Sequence, residues 1–432
     1  MVQGQRQVQQ NKVTVKPVNP RPAHTHSGQV PAAQSASPIT QMQGTNASQN
    51  APALVRVALL SPMSGQSASI GVAIRQAAQM ALFDLAPENL VLQPYDTKGT
   101  AAGAQEAVSL ALSHHVDLII GPVFGENVKA VKPLLRESAT PMIAFTTDKE
   151  AAGNNVYIMG ALLQAQVQRI VNYAVSQGRL RFAALAPDTA YGRAVVDELR
   201  LATEAAGVLM ADAVFYNPAA TDFTGPVKQL VRSDSRRAEL EQQKSVLRQR
   251  NDEVSRRALA RLEQLGRGGD VPFDAILIPD VGARLLAVSA LLPYYDVDPA
   301  QVKVLGTMLW AQQKNLGSEV ALRGAWYPAP DQNNTAMFQR NYEKAYGVQT
   351  PQIASLGYDA VALAAVLVRQ AGNTANFSQQ VLTQRDGFSG MDGLFRFNFD
   401  GTNNRAFAVM EVSQSGSKVQ DPAPTSFYQA GF

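Results

Sequence analysis

The run 117–137, DLIIGPVFGENVKAVKPLLRE, constrains the fold more than any other stretch of the chain. Its apolar triplet 118–120 is stopped by Gly121-Pro122, and Val128, Val131 and Leu134/Leu135 then recur at helical spacing. The pattern predicts a strand, a tight turn and a helix. A helix that opens directly above a strand end aims its unbonded N–H groups at the space there, which favours a polar or anionic group in that space. An ordinary strand-to-helix turn without a ligand has the same pattern, so a single copy decides nothing. The weight comes from repetition.

From Leu54 onward the same alternation recurs. Strands are predicted at 55–60, 90–95, 118–120 and 142–145, with helices between them. Ile70, Ile74, Ala77/Ala78, Ala81/Leu82 and Leu85 form one stripe at a period near 3.6. After 156–159 the pattern restarts. A helix carrying Leu163, Val167, Ile170/Val171 and Ala174 leads to a strand at 182–186, the turn Pro187 to Gly192, and a helix with Val195, Leu199 and Ala202. Further strands at 208–216, 275–279 and 302–306, and a helix at 284–292, complete a second set. Alternating strands and helices imply parallel sheets covered on both faces, with ligands at the carboxyl ends of the strands. Two Rossmann-like α/β lobes in tandem, with a cleft between them that clamps a small polar molecule, is the expected architecture.

Three segments depart from the alternation. Residues 1–52 are rich in Gln, Asn, Ser, Thr, Pro and Ala without apolar periodicity, the composition of a disordered tether. His24 and His26 within it are not expected to hold a metal. The segment 233–267 is almost free of Gly and Pro and dense in Arg, Glu and Gln, with Leu240, Leu247 and Val254 one heptad apart and Ala258, Leu262 and Leu265 following. A long helix or helical hairpin with a narrow apolar seam is predicted, either lying on its own lobe or serving as a docking element. Near the end, helices at 334–346 and 355–370 precede strands at 394–398 and 406–412, and Asp400-Gly401 between these two strands signals a hairpin.

Charge and composition exclude more than they assign. Basic residues number 38 against 35 acidic, and Arg6, Lys12, Lys16 and Arg21 in an acid-free tail account for the surplus, so nucleic acid is not an expected partner. There is no cysteine, which removes thiol catalysis, disulfides and a lipid-attachment thiol together. No run approaches the ~18 apolar residues of a membrane span. The start lacks the apolar core of a signal peptide, so either the protein is cytoplasmic or a leader is missing from this sequence. Walker, HExxH and G-x-S-x-G patterns are all absent, and His114-His115 close a predicted helix without a nucleophile. A non-catalytic binding protein without a cofactor is the expected class, against a disfavoured enzyme reading built on Asp148 or Asp280.

Over nearly everything from Leu54 on, the chain resembles the leucine/isoleucine/valine-binding family of type I periplasmic binding proteins. The resemblance rests on LLSPMSGQSASIGVAIRQAAQMAL, LIIGPVFGENVKAV, PMIAFTTD and ALAPDTAYGRAVVDEL, in family order. DTAYGRA, RGAWYPAPD and the charged insertion look most like the lipoprotein activators of penicillin-binding proteins. The resemblance implies a periplasmic or cell-envelope location and three hinge crossovers, expected near Gly160, Tyr327 and Ser389. Lobe 1 is then 54–160 plus 328–388, lobe 2 is 161–327 plus 389–415, and 416–432 is a C-terminal tail.

The resemblance also implies a ligand site. In amino-acid-binding members a serine at the helix start and a threonine after the next strand meet the ligand carboxylate; here those positions hold Gly125 and Asp148. The acidic partner of the ligand ammonium is expected near 307–309, where no carboxylate stands. An aspartate facing a carboxylate is repelled unless it is protonated or turned away. The expected cleft residues are Gly125 and Glu126 at the helix start, Thr146, Thr147 and Asp148 after the next strand, Tyr191, Asp280 and Trp310. Asp280 has capping the next helix as its alternative, and Trp310 has packing in the hinge. The leading expectation is a regulator of penicillin-binding proteins in peptidoglycan synthesis. Its alternative is the solute receptor of an ABC transporter, paired with a permease, for branched-chain amino acids, amides or related molecules.

Overall fold

The computed structural model describes residues 53–250, 252–265, 270–313, 315–330 and 332–428. The tether 1–52 with His24 and His26, the end of the insertion at 266–267 and the last residues 429–432 lie outside the described residues.

The first sheet is built from β1 (Val55–Ser61), β2 (Leu90–Asp96), β3 (Leu118–Ile120), β4 (Met142–Ala144) and β5 (Val156–Ile158), in the order β2-β1-β3-β4-β5 and parallel throughout. Alternate residues of β1 serve different cores, Val55, Val57 and Leu59 on one face and Ala58 and Leu60 on the other. That two-sided burial is why the strand reads as a continuous apolar run rather than an alternation. The second face is covered by α2 (Ala101–Ser113) and α3 (Gly125–Leu135), through residues such as Val108, Val128 and Val131. Against the first face packs α1 (Ala68–Leu85), whose predicted stripe is fully buried at Ile74, Ala77, Ala78 and Ala81 and half-buried at Ile70, Leu82 and Leu85.

The chain then enters the second lobe through α4 (Leu163–Ser176), β6 (Arg181–Pro187), α5 (Ala190–Ala205) and β7 (Leu209–Tyr216). After α6 (Thr224–Leu230) come α7 (Ser233–Arg250) and α8 (Glu253–Leu265), then β8 (Ala275–Leu277), α9 (Gly282–Tyr294), β9 (Lys303–Leu305) and β10 (Trp326–Ala329). The second sheet runs parallel from β7 through β6, β8 and β9 to β10.

The helical insertion is a hairpin, with Arg248 of α7 bonded to Glu263 of α8 at 3.1 Å. The expected heptad does not carry across it. Leu240 and Leu247 are half-buried, but Val254 is 78% exposed, because the chain reverses between Arg250 and Glu253 and places position 254 on the other helix.

The return to the first lobe uses α10 (Gln332–Tyr346), α11 (Ala354–Gln370) and α12 (Gln379–Leu382), with α11 packed along α1. The third crossover differs from expectation. Strands β11 (Phe388–Gly390), β12 (Gly393–Phe397) and β13 (Asn403–Arg405) form a separate antiparallel sheet, and Phe388, Phe395 and Phe397 pack into the first core. The chain crosses not near Ser389 but at Ala406 and Phe407, entering β14 (Ala408–Ser413) of the second sheet. The Asp400-Gly401 turn therefore joins β12 to β13 and not to the final strand. Nor is the segment from 416 wholly a tail: β15 (Gly416–Asp421) pairs with β14 and forms the edge of the second sheet.

The first and third crossovers are bonded to each other. Asn403 Nδ2 donates to the carbonyls of Ile158 (2.6 Å) and Gly160 (2.9 Å), and Arg405 Nη2 donates to that of Met159 (3.0 Å).

Candidate functional site

On the first lobe the site begins at the turn after β3. Gly121 has φ +96°, and a Cβ there would lie 2.0 Å from the Leu60 carbonyl oxygen, so only glycine lets the chain turn this close to β1. The helix α3 then starts at Gly125 behind Phe124, which offers no side-chain cap, so the first N–H groups of the helix have no partner within it. Asp148, carried there by the loop after β4, leans over this helix start. A Cβ on Gly125 would stand 2.8 Å from Asp148 Oδ2 and 3.2 Å from Thr146 Oγ1. The glycine is thus what admits the aspartate.

Asp148 is held in that pose from several sides. Thr146, buried, accepts the Asp148 N–H at 3.0 Å through Oγ1, and Asp148 Oδ1 accepts the Glu150 N–H at 3.0 Å. Lys129, one turn into α3, places Nζ 2.8 Å from Asp148 Oδ2, 3.3 Å from Glu150 Oε2 and 3.6 Å from Glu126 Oε1. The hydrogen bond to Asp148, followed by that to Glu150, holds the Lys129 ammonium above the usual lysine range. Three carboxylates around one ammonium leave this wall negative. Glu126 and Thr147 are exposed beside it.

On the second lobe Thr189 caps α5 by accepting the Gly192 N–H at 3.0 Å, which sets Tyr191 in the first turn. Tyr191 donates its hydroxyl to Thr307 Oγ1 at 2.9 Å, just beyond β9, and burial pushes its phenol pKa up. Gln166 of α4 joins this wall, accepting the Met308 N–H at 3.3 Å. The wall is neutral, built from a phenol, a hydroxyl and an amide. Lys149 of the first lobe reaches Glu198 of α5 at 2.8 Å, and the side chains of Gln312 and Gln352 also bond between the lobes.

Asp280 and Trp310 are spent on structure. Asp280, 3% exposed, accepts Tyr216 Oη at 2.6 Å, Arg284 Nε and Nη2 at 2.9 Å each, and the Val281 N–H at 2.8 Å. It is not the cap residue of α9, which is Val281; it clamps Arg284 in the first turn. Trp310 is fully buried, donates Nε1 to the Asp280 carbonyl at 2.9 Å, and lies tilted against Tyr327. Neither offers a free face to a ligand, and neither carboxylate of the disfavoured enzyme reading lacks a cationic partner.

The structure therefore gathers Gly125, Glu126, Thr146 and Asp148 into one wall and sets Tyr191 in another. The sequence reading missed Lys129, Thr307 and Gln166. The Glu126-to-Lys129 spacing is the only local signal for the first; the other two acquire partners only through tertiary packing.

Both sheets end their parallel strands at these walls, the arrangement of a protein that closes two lobes on a solute. The chain belongs to the periplasmic binding protein family, whose sequence model matches residues 54–418. Solved structures share the fold. A putative branched-chain amino acid ABC transporter protein from Rhodospirillum rubrum is 14% identical, with 85% of this chain and 99% of that one covered and a TM-score of 0.66. The branched-chain amino acid substrate-binding protein LivJ from Streptococcus pneumoniae, in complex with isoleucine, is 15% identical over 85% and 100% of the two chains, with a TM-score of 0.51. A solute-binding protein of an ABC transporter from R. palustris, in complex with 4-hydroxybenzoate, is 15% identical over 88% and 99%, with a TM-score of 0.54. Among curated proteins none matches this sequence. No helix among the described residues is long and apolar enough to cross a membrane.

Proposed function

We propose that the protein is a periplasmic solute receptor of an ABC transport system, binding without catalysis, and that its cleft takes a neutral or cationic polar molecule such as an amide. The family and the transport proteins that share the fold support the first part. The second rests on one observation: the carboxylate of Asp148 already sits at the start of α3. By the family resemblance, that is where a ligand carboxylate would sit. Isoleucine and 4-hydroxybenzoate, the ligands of two structural relatives, both carry one. Here such a group meets a wall with excess negative charge, and like charges brought together at this distance repel.

A thermal-shift series on the full chain tests this reading. Amides and small cations are expected to raise the melting midpoint through mass action, while simple carboxylates leave it unmoved. Asp148→Asn is expected to strengthen carboxylate binding by about tenfold, the order set by removing one partly solvated charge. Tyr191→Phe is expected to weaken the preferred solute several-fold through the hydroxyl pair with Thr307. The largest shift coming from a carboxylate in the wild-type protein would sink the assignment.

One element supports a second reading, in which the lobes regulate a penicillin-binding protein. The hairpin α7–α8 presents a groove in which Val246, Leu247, Ala258 and Leu262 are framed by Glu239, Gln242, Gln243, Arg250 and Arg261, a narrow apolar seam with a charged rim. Deletion of 233–267 is expected to abolish capture of such a synthase while leaving the melting of the lobes intact. Capture that survives the deletion removes this reading.

A further inference from the structure

Past the residues that the family model matches, which end at 418, the chain makes a fourth passage between the lobes. It leaves the second lobe at the end of β15, where Asp421 stands opposite Val409 of β14 and therefore beside the third crossover. Arg169 of α4 holds this end. Its Nε donates to the Phe407 carbonyl of that crossover at 2.8 Å, and its Nη2 bonds Asp421 and, at 3.4 Å, the Pro422 carbonyl. Ala423 packs against the second core.

The other end lies on the first lobe. Phe427 is 8% exposed, and Arg396 of β12 covers its ring with Cζ 4.4 Å from the centroid. The ring also meets the bare face of Gly387, where a Cβ would stand 2.7 Å from Phe427 Cε2. Tyr428 bonds Asp386 in the same turn, a contact that pushes its phenol pKa up. The neighbours of this turn and of Arg396, Phe388 and Phe395, belong to the first core. A segment that only covered a core would stay on one lobe.

Between its two anchors the chain has little slack. From Asp421 to Phe427 it spans at most roughly 20 Å when extended, and Pro422 and Pro424 fix φ at two positions on the way. Phe427 shares a cavity of about 360 Å³ with Gln164, Gln168 and Arg169 of the second lobe and Arg396 and Asn404 of the first. The lobes thus face each other there across open space rather than through a close-packed interior, and the segment bridges a gap that can change width. A stretch past the last strand stays ordered only where it is tied down. Burial of the ring and its attraction to the guanidinium supply that tie.

We propose that 421–428 is a strap that restrains the motion of the two lobes relative to each other, with the Phe427 ring as its anchor on the first lobe. This inference goes beyond the solute-receptor reading and stands without it. A solute that closes the lobes acts on the same motion, so strap docking and solute binding alter each other by the same factor.

The test uses the absence of cysteine, which lets two introduced thiols carry spin labels without background. Ser109→Cys on α2 and Ala287→Cys on α9, both exposed, report the distance between the lobes by double electron–electron resonance on the full chain without solute. A narrow distance distribution is expected. Phe427→Ala is expected to broaden it about twofold, and a chain ending at Asp421 to broaden it as much. Phe399→Ala removes a phenylalanine that is 74% exposed at the β12–β13 turn, outside the strap, and is expected to leave the distribution as it was. Melting curves establish that each labelled variant is folded, and the chain ending at Asp421 carries the test if Phe427→Ala is not. A distribution that stays narrow when the anchor is removed, or that broadens equally in Phe399→Ala, overturns the proposal. Because no solute enters the measurement, that result leaves the solute-receptor reading untouched.

Discussion

Asp359→Asn is expected to stabilise the protein at pH 8 by about 2–4 kcal/mol and to have little effect near pH 4, at a cost of about 1.4 kcal/mol per unit of pKa difference. Asp359 is 2% exposed on α11. Its Oδ1 accepts the Met391 N–H at 2.7 Å, but its Oδ2 has no partner and faces Gly390 so closely that a Cβ there would lie 2.3 Å away. Burial comes first in raising its pKa, and the neighbouring Asp392 comes second; Arg405 opposes both without winning, and the carboxyl is pushed up to about 7. Asp392, which accepts Ser355 Oγ at 2.6 Å, is raised as well, by burial.

The sign follows from proton counting. Between the unfolded value near 4 and the raised folded value, the folded chain holds a proton that the unfolded chain has released. Stability from this group therefore falls as pH rises through that window. Asparagine keeps an acceptor for Met391 and carries no charge, so it removes the penalty above the window and changes little below it. Urea midpoints of the two proteins at pH 4.5 and pH 8 check the prediction. An equal destabilisation at both values would mean that the carboxyl is ionised and well served in the folded state.

The alternation that defines the fold was legible because two-sided burial writes itself into sequence as short apolar runs separated by 3.6-period stripes. That signal located β3 and α3 from 118–135 and the restart after 156–159. It failed at β10, where Pro328 interrupts Trp326–Ala329, since a proline argues against an interior strand. This strand nevertheless lies between β9 and β14. The third crossover was misplaced for a related reason. Local spacing shows an extended run at 394–398, but not which core its phenylalanines enter. The heptad through Val254 failed because a chain reversal leaves no mark on residue spacing.

At the site, residue types were readable and roles were not. Gly125 and Asp148 stood out as departures from the amino-acid-binding pattern. Their mutual contact, and the neutralisation of Asp148 by Lys129, depend on how the loop after β4 folds back on α3. Tyr191 was placed by the family resemblance, and the Thr189 cap that sets it is local, whereas its partner Thr307 lies 116 residues away. Asp280 and Trp310 were taken toward the ligand because both follow strand ends, and only the packing of Tyr216 and Arg284 shows them occupied.

Asp280→Ala separates those two roles and is expected to be among the most damaging substitutions in the second lobe, costing about 3 kcal/mol. The carboxylate is buried, so its loss leaves the Tyr216 hydroxyl without a partner inside a core where its ring packs edge-on against Phe223 at 5.1 Å. Arg284 is 43% exposed and swings into water, so its share of the loss is small. Burial alone would raise the Asp280 pKa, but the hydrogen bonds from Arg284, Tyr216 and Val281 outweigh it and hold the carboxyl below the usual range. Its contribution is accordingly present above the unfolded value near 4 and lost as pH falls through the lower folded value, so the cost of Asp280→Ala shrinks in acid. Asp280→Asn keeps the shape and one acceptor, and is expected to cost about 1–2 kcal/mol. A ligand-contacting aspartate behaves in the opposite way: its asparagine variant melts like the wild type and loses solute binding. Melting midpoints and solute affinities of the asparagine variant, measured side by side, distinguish the two, and lowered stability with affinity kept within a few-fold is the result expected of a clamp that acts on Tyr216 and Arg284 inside the second lobe.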